Sequence, residues 1–105
     1  MNLKATISKN PRLFKELCQK HRITRLYAFG SSITPNFNET ASDIDLLVDV
    51  DVQDAANRGE TLLSLWDNLE AYFGRKVDLL TPGSIRNPFL KSNIDRTKEL
   101  IYDGT

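Results

Sequence analysis

Ser42-Asp43-Ile44-Asp45-Leu46-Leu47-Val48, near the middle of the 105-residue chain, reads as the opening of a β-strand that begins with two acids. Residues two apart on a strand point to the same face, so Asp43 and Asp45 converge while Ile44 turns to the other side. Two like charges held that close repel, and a cation between them removes the conflict. Leu46, Leu47 and Val48 follow directly, so the strand is expected to be central and buried, where unneutralised carboxylates are costly. A metal-binding pair is therefore preferred over two solvated acids on an exposed strand. The alternation continues through Asp49 and Val50, and the strand is expected to span Ile44 to Val52.

Working upstream, Ile23 to Phe29 is a second strand that ends at Gly30-Ser31. Glycine permits close backbone approach, and a serine hydroxyl with successive N–H groups can hold phosphate oxygens. Residues 32–42 are rich in Ser, Thr, Asn and Pro and read as a loop. Asn10-Pro11 opens a helix, because Asn caps free N–H groups and Pro is tolerated in the first turn. Leu13, Phe14, Leu17 and Cys18 form its apolar stripe. His21 ends that stripe as a boundary residue with no catalytic partner nearby.

Downstream, residues 54–73 form a helix with apolar Leu62, Leu63, Leu65, Trp66, Leu69, Tyr72 and Phe73, of which Trp66 and Phe73 are read as core, and with Gly74 as its cap. Lys76 to Thr81 is a short strand, and Pro82-Gly83 a turn. Asn87-Pro88 opens a last helix to about Asp95, and for Leu100-Ile101-Tyr102 a closing edge strand is preferred over a last helical turn. The order α-β-loop-β-α-β-α-β gives an α/β (α+β) domain with a small mixed β-sheet flanked by helices. At this length the expectation is a single domain over residues 1–105.

Asp78, in Lys76-Val77-Asp78-Leu79-Leu80, is an acid inside a short apolar strand. A neighbouring strand carrying Asp43 and Asp45 would give it a shared metal. Three carboxylates from two strands, facing a Gly-Ser phosphate turn, are what two-metal phosphoryl or nucleotidyl transfer requires. Hard oxygen ligands fit Mg²⁺ rather than zinc. A structural calcium site is the rival, and it would leave Gly30-Ser31 without a role.

Composition narrows the class. Fourteen Lys+Arg balance fourteen Asp+Glu, and Cys18 is the single cysteine, which excludes an internal disulfide and a cysteine-based zinc site. No apolar run approaches the roughly 20 residues of a membrane span, and no signal-peptide core follows Met1, so a cytoplasmic protein with no membrane partner is expected. The neutral total hides a polarised layout. Residues 1–26 carry seven basic residues against Glu16 alone, while residues 39–60 carry seven acids against Arg58 alone. The basic stretch reads as the solvated face of a helix. It lacks interleaved aromatics, which argues against nucleic acid as substrate.

Taken together, F-G-S (29–31), S-D-I-D-L-L-V (42–48) and V-D-L-L (77–80) resemble the DNA polymerase beta-type nucleotidyltransferase superfamily. At this length the chain resembles its minimal nucleotidyltransferase (MNT) family. The resemblance implies that Gly30 and Ser31 hold a nucleoside triphosphate, with ATP the expected donor. Asp43 and Asp45 would ligate Mg²⁺, with two ions expected, and Asp78 would bind the catalytic metal and help deprotonate the attacking hydroxyl. Ser32, Ile33 and Thr34 stand where many members carry a basic residue. The resemblance further implies a protein acceptor, a HEPN-domain toxin that the chain would oppose as antitoxin. The alternative is a module of the same fold that neutralises its partner by contact alone.

Overall fold

The computed structural model describes residues 3–30 and 43–105. Ser31 and the loop expected over 32–42 lie outside them. The described elements run α1 (Leu3–Lys9), α2 (Pro11–Lys20), β1 (Ile23–Phe29), β2 (Ile44–Val50), α3 (Ala55–Phe73), β3 (Val77–Leu80), a 3-10 turn (Pro82–Ser84), α4 (Pro88–Thr97) and β4 (Glu99–Asp103). The four strands form one sheet in the order β3-β2-β1-β4. β1 pairs antiparallel with β2 and β4, whereas β2 and β3 run parallel, so the sheet is mixed as expected. A parallel pair needs a long crossover, and α3 with its 19 residues supplies it.

The cap signals lie where the sequence puts them. The Asn10 side chain accepts a hydrogen bond from the Leu13 N–H, and Asn87 accepts from Phe89 and Leu90. Asp54 caps α3 by accepting from the Asn57 N–H at 3.0 Å. Gly74 ends that helix with φ +67°, a left-handed conformation that glycine adopts without strain.

β2 ends at Val50 rather than Val52. Its last ladder partner is Ile23, the first residue of β1, and past it the Asp51 N–H donates to the carbonyl of Arg22, a residue of the α2–β1 turn with φ +56°, at 2.9 Å. α1 is an element that the sequence reading does not contain. Its only spaced apolar residues are Leu3 and Ile7, too few to stand out, and Leu3 is buried against the main core.

That core lies on one face of the sheet. Leu26, Ala28, Ile44, Leu46, Val48, Val77 and Leu79 alternate inward and meet Phe14, Leu17 and Cys18 of α2 and Leu65, Leu69 and Phe73 of α3. Phe14 anchors an aromatic group, its ring centroid 5.3 Å from Tyr72 and 6.3 Å from both Phe73 and Tyr102. Cys18 is fully buried, and burial pushes its thiol up to about 12, so it acts as a small core residue.

Three core expectations need correction. Leu13 is 48% exposed, because it lies about 100° round the helix from Phe14. Trp66 is 37% exposed at the edge of the α3 stripe rather than inside it. His21 is buried at 4% exposure rather than at the boundary. Its Nδ1 donates to the Leu17 carbonyl at 2.7 Å, and its Nε2 meets the Ser64 hydroxyl at 3.0 Å, tying α2 to α3. Its role is structural. The central position of Leu65 gives a direct test of this layer. Leu65→Ala is expected to lower unfolding free energy by about 2–5 kcal/mol through lost burial and a residual cavity, read by urea denaturation.

Candidate active site

The second face of the sheet is covered more sparsely. Phe29, Leu47 and Ile94 of α4 form a small cluster, with Tyr27, Leu80 and Ile85 against it. Asp45 and Asp78 belong to this face by alternation, each two residues before a member of that cluster. α4 contributes Ile94 to that cluster as its buried residue. Asp43 and Asp45 are half-buried and Asp78 is exposed. β2 is central as expected, but its acids are open to water rather than deeply buried.

Register brings the predicted residues together. Asp45 stands opposite Asp78 across the parallel β2–β3 pair and opposite Phe29 across the antiparallel β1–β2 pair. Neighbouring strands lie about 4.8 Å apart, so the two carboxylates leave adjacent strands side by side on one face. Asp43 precedes β2 and continues its alternation. The entry of β2 is pinned by the Ile44 N–H donating to the Lys76 carbonyl at 3.0 Å.

Gly30 follows β1 with φ +63°, and a Cβ at that position would sit 2.5 Å from Oδ2 of Asp45. Both facts require glycine: the left-handed backbone, and the close approach of a bare Cα to the carboxylate. Gly30→Ala is therefore expected to displace the Asp45 carboxylate and to weaken Mg²⁺-dependent nucleotide binding at least about tenfold, since steric displacement of a ligand is felt directly in affinity. Titration calorimetry with MgATP reads this, and unchanged affinity would show that Asp45 accommodates the methyl group.

Among the described residues, no three His, Cys, Asp or Glu side chains are gathered closely enough to form a metal cage. The donor set nevertheless suits Mg²⁺. That ion keeps several waters and takes only one or two carboxylates plus substrate phosphates. A half-buried Asp45 with an exposed Asp78 opposite it across the β2–β3 pair meets that requirement.

Sequence reasoning missed what holds β3 in place. Lys76 directs its carbonyl to β2, so the Val77 N–H and carbonyl point away from the sheet. Trp66 Nε1 of α3 donates to the Val77 carbonyl at 2.6 Å, and Oε2 of Glu70 accepts from the Val77 N–H at 2.9 Å. The signal was a tryptophan and a glutamate four apart on one helix face, a spacing that places both tips over the same neighbour.

Compared with known proteins, residues 11–101 match the family model described as "Nucleotidyltransferase domain". The chain belongs to this nucleotidyltransferase family. Among relatives of Methanocaldococcus jannaschii named "Putative protein adenylyltransferase", one is 34% identical over 100 residues, covering 95% of this chain and 93% of the relative. Another is 36% identical over 88 residues, covering 84% of each.

The nucleotidyltransferase fold is shared with chains of solved toxin–antitoxin structures. One, a mutant described as MntA-HpeT, aligns with a TM-score of 0.60 at 21% identity, covering 91% of this chain and 75% of the other. A toxin–antitoxin structure with AMP-PNP gives 0.58 at 23% identity, with the same coverage of both chains. A Shewanella oneidensis complex of a tri-AMPylated HEPN toxin with its MNT antitoxin gives 0.51 at 21% identity, covering 91% and 71%. The α+β fold and the family expected from the three motifs are thus both found. Among the described residues of this nucleotidyltransferase, no helix is long and apolar enough to cross a membrane.

Proposed function

We propose that the chain is a Mg²⁺-dependent protein adenylyltransferase that moves AMP from ATP onto a hydroxyl of a HEPN-domain toxin, with residues 1–105 acting as one catalytic domain. The observation that carries this reading is the register that sets Asp45 beside Asp78, with the bare Cα of Gly30 against the Asp45 carboxylate. The names of the relatives support the reaction, and the AMP-PNP and HEPN complexes among the structural neighbours support the donor and the acceptor.

In this reading Asp43 and Asp45 would hold Mg²⁺, and Asp78 would complete the site from β3. Gly30 and Ser31 line the triphosphate side. The metal supplies charge neutralisation at the α-phosphate and at the departing pyrophosphate. The Asp78 carboxylate takes the proton of the acceptor hydroxyl as its oxygen bonds to the α-phosphorus. The bond from the α-phosphorus to the bridging oxygen breaks, and pyrophosphate leaves with that electron pair.

The open spread of the three acids favours a second reading, in which the chain silences the toxin by contact and transfers nothing. ATP labelled at the α-phosphate, incubated with the chain and a HEPN-domain toxin encoded beside its gene, separates the two. Label on the toxin that requires Mg²⁺ is the expected result. Toxin held in a stable complex but left unlabelled would establish the contact reading instead.

A further inference from the structure

Among the described residues, β3 has four residues, one neighbouring strand and an outer edge with no strand against it. A strand held by a single ladder can shift sideways, and any shift moves the carboxylate that it carries. The peptide joining Val77 to Asp78 is gripped from outside by α3, with Trp66 on its carbonyl and Glu70 on the N–H at the other side of Val77. Both grips act on the backbone immediately before Asp78. Val77 itself is fully buried, so its side chain anchors one face of the strand while the two hydrogen bonds fix its edge. Trp66 leaves 37% of its surface in water, so packing is not its only contribution, and its indole N–H makes the shorter of the two bonds. Glu70 contributes a charge-assisted acceptor, stronger than a neutral one.

We propose that Trp66 and Glu70 are positioning residues that aim Asp78 at the acceptor hydroxyl. This rests on the reading of Asp78 as the proton acceptor. They act through the backbone of Val77, Trp66 on its carbonyl and Glu70 on its N–H. Loss of either grip lowers the turnover number and leaves the affinity for MgATP unchanged, because Asp43 and Asp45 are carried by another strand. Small misplacement of a reacting group is costly in rate, so a loss of about tenfold is expected for each.

The test is a double-mutant cycle in the labelled-ATP transfer assay, with thermal melting and hydrogen exchange at the Val77 amide on the same samples. Trp66→Phe keeps the ring and removes the donor. Glu70→Ala removes the acceptor, and Glu70→Gln restores one. The expected result is a lower kcat at constant KM for ATP in Trp66→Phe and Glu70→Ala, recovery in Glu70→Gln, and faster Val77 exchange in Glu70→Ala. Added to Asp78→Asn, neither variant should slow transfer further, since the group that they aim is gone. If Asp78→Asn is slow and Trp66→Phe multiplies that loss or has none of its own, the positioning role is overturned while Asp78 keeps its part. If Asp78→Asn transfers at the wild-type rate, the reading of Asp78 fails and the proposal falls with it. Should Trp66→Phe not fold, Glu70→Ala carries the same cycle with the same deciding outcomes.

Discussion

Asp78→Asn is expected to slow adenylyl transfer by about 10²–10⁴-fold, the usual cost of losing a positioned base. In the proposed role, in which Asp78 also holds a metal, loss of that ligand would add to the figure. The amide keeps the shape of the side chain and cannot take the proton from the acceptor. Asp78 is exposed, and its backbone rather than its carboxylate makes the β2–β3 ladder, so the fold should be untouched. Affinity for MgATP should change far less than the rate, because Asp43 and Asp45 remain. Both quantities are measured on one preparation. Transfer at the wild-type rate would remove Asp78 from the chemistry, and a variant that neither folds nor binds would make its role structural.

The second large effect is expected from Asp43→Asn combined with Asp45→Asn. A ligand at 100 times its Kd stabilises the folded state by about 2.7 kcal/mol, which in a chain of this size raises Tm by roughly 10–20 °C. Wild type with saturating MgATP should show that rise, and the double variant should show none. Without metal, the double variant should melt no lower than wild type, since two neighbouring negative charges have been removed. An equal rise in both proteins would dismiss Asp43 and Asp45 as the metal site.

Most of what positions this site could be read from the chain, because it rests on local signals. Asn10 and Asn87 cap their helices through their side chains and Gly74 through its left-handed backbone, and strand alternation alone puts Asp43 and Asp45 on one face. Helix stripes were read less well at their margins. Leu13 and Trp66 are apolar residues at helical spacing, yet each sits at the rim of its stripe. Rim residues are sorted by the shape of the opposing surface, which a one-dimensional pattern does not contain. The same holds for α1, whose two apolar positions are too few to register. The juxtaposition of Asp45 with Asp78 needed a parallel register, and the closeness of Gly30 to Oδ2 of Asp45 needed a third strand. Both are properties of the assembled sheet. The clamp on Val77 lay furthest from view, since it joins helix side chains to backbone groups that no sequence pattern marks.

The parallel pairing of β2 with β3 also bears on how the protein would lose activity. Asp45 and Asp78 are neighbours in space only because α3 carries the chain across the sheet and lays β3 down as its outermost strand. An outermost strand of four residues can open before the whole fold does. Such an opening would carry Asp78 away while β1, β2 and the bulk of the core stay intact. Catalysis would then fade on warming before the global melt begins, and a protease reaching the frayed edge would cut a molecule already silent. The working life of the site would then be set by the residence time of one short strand.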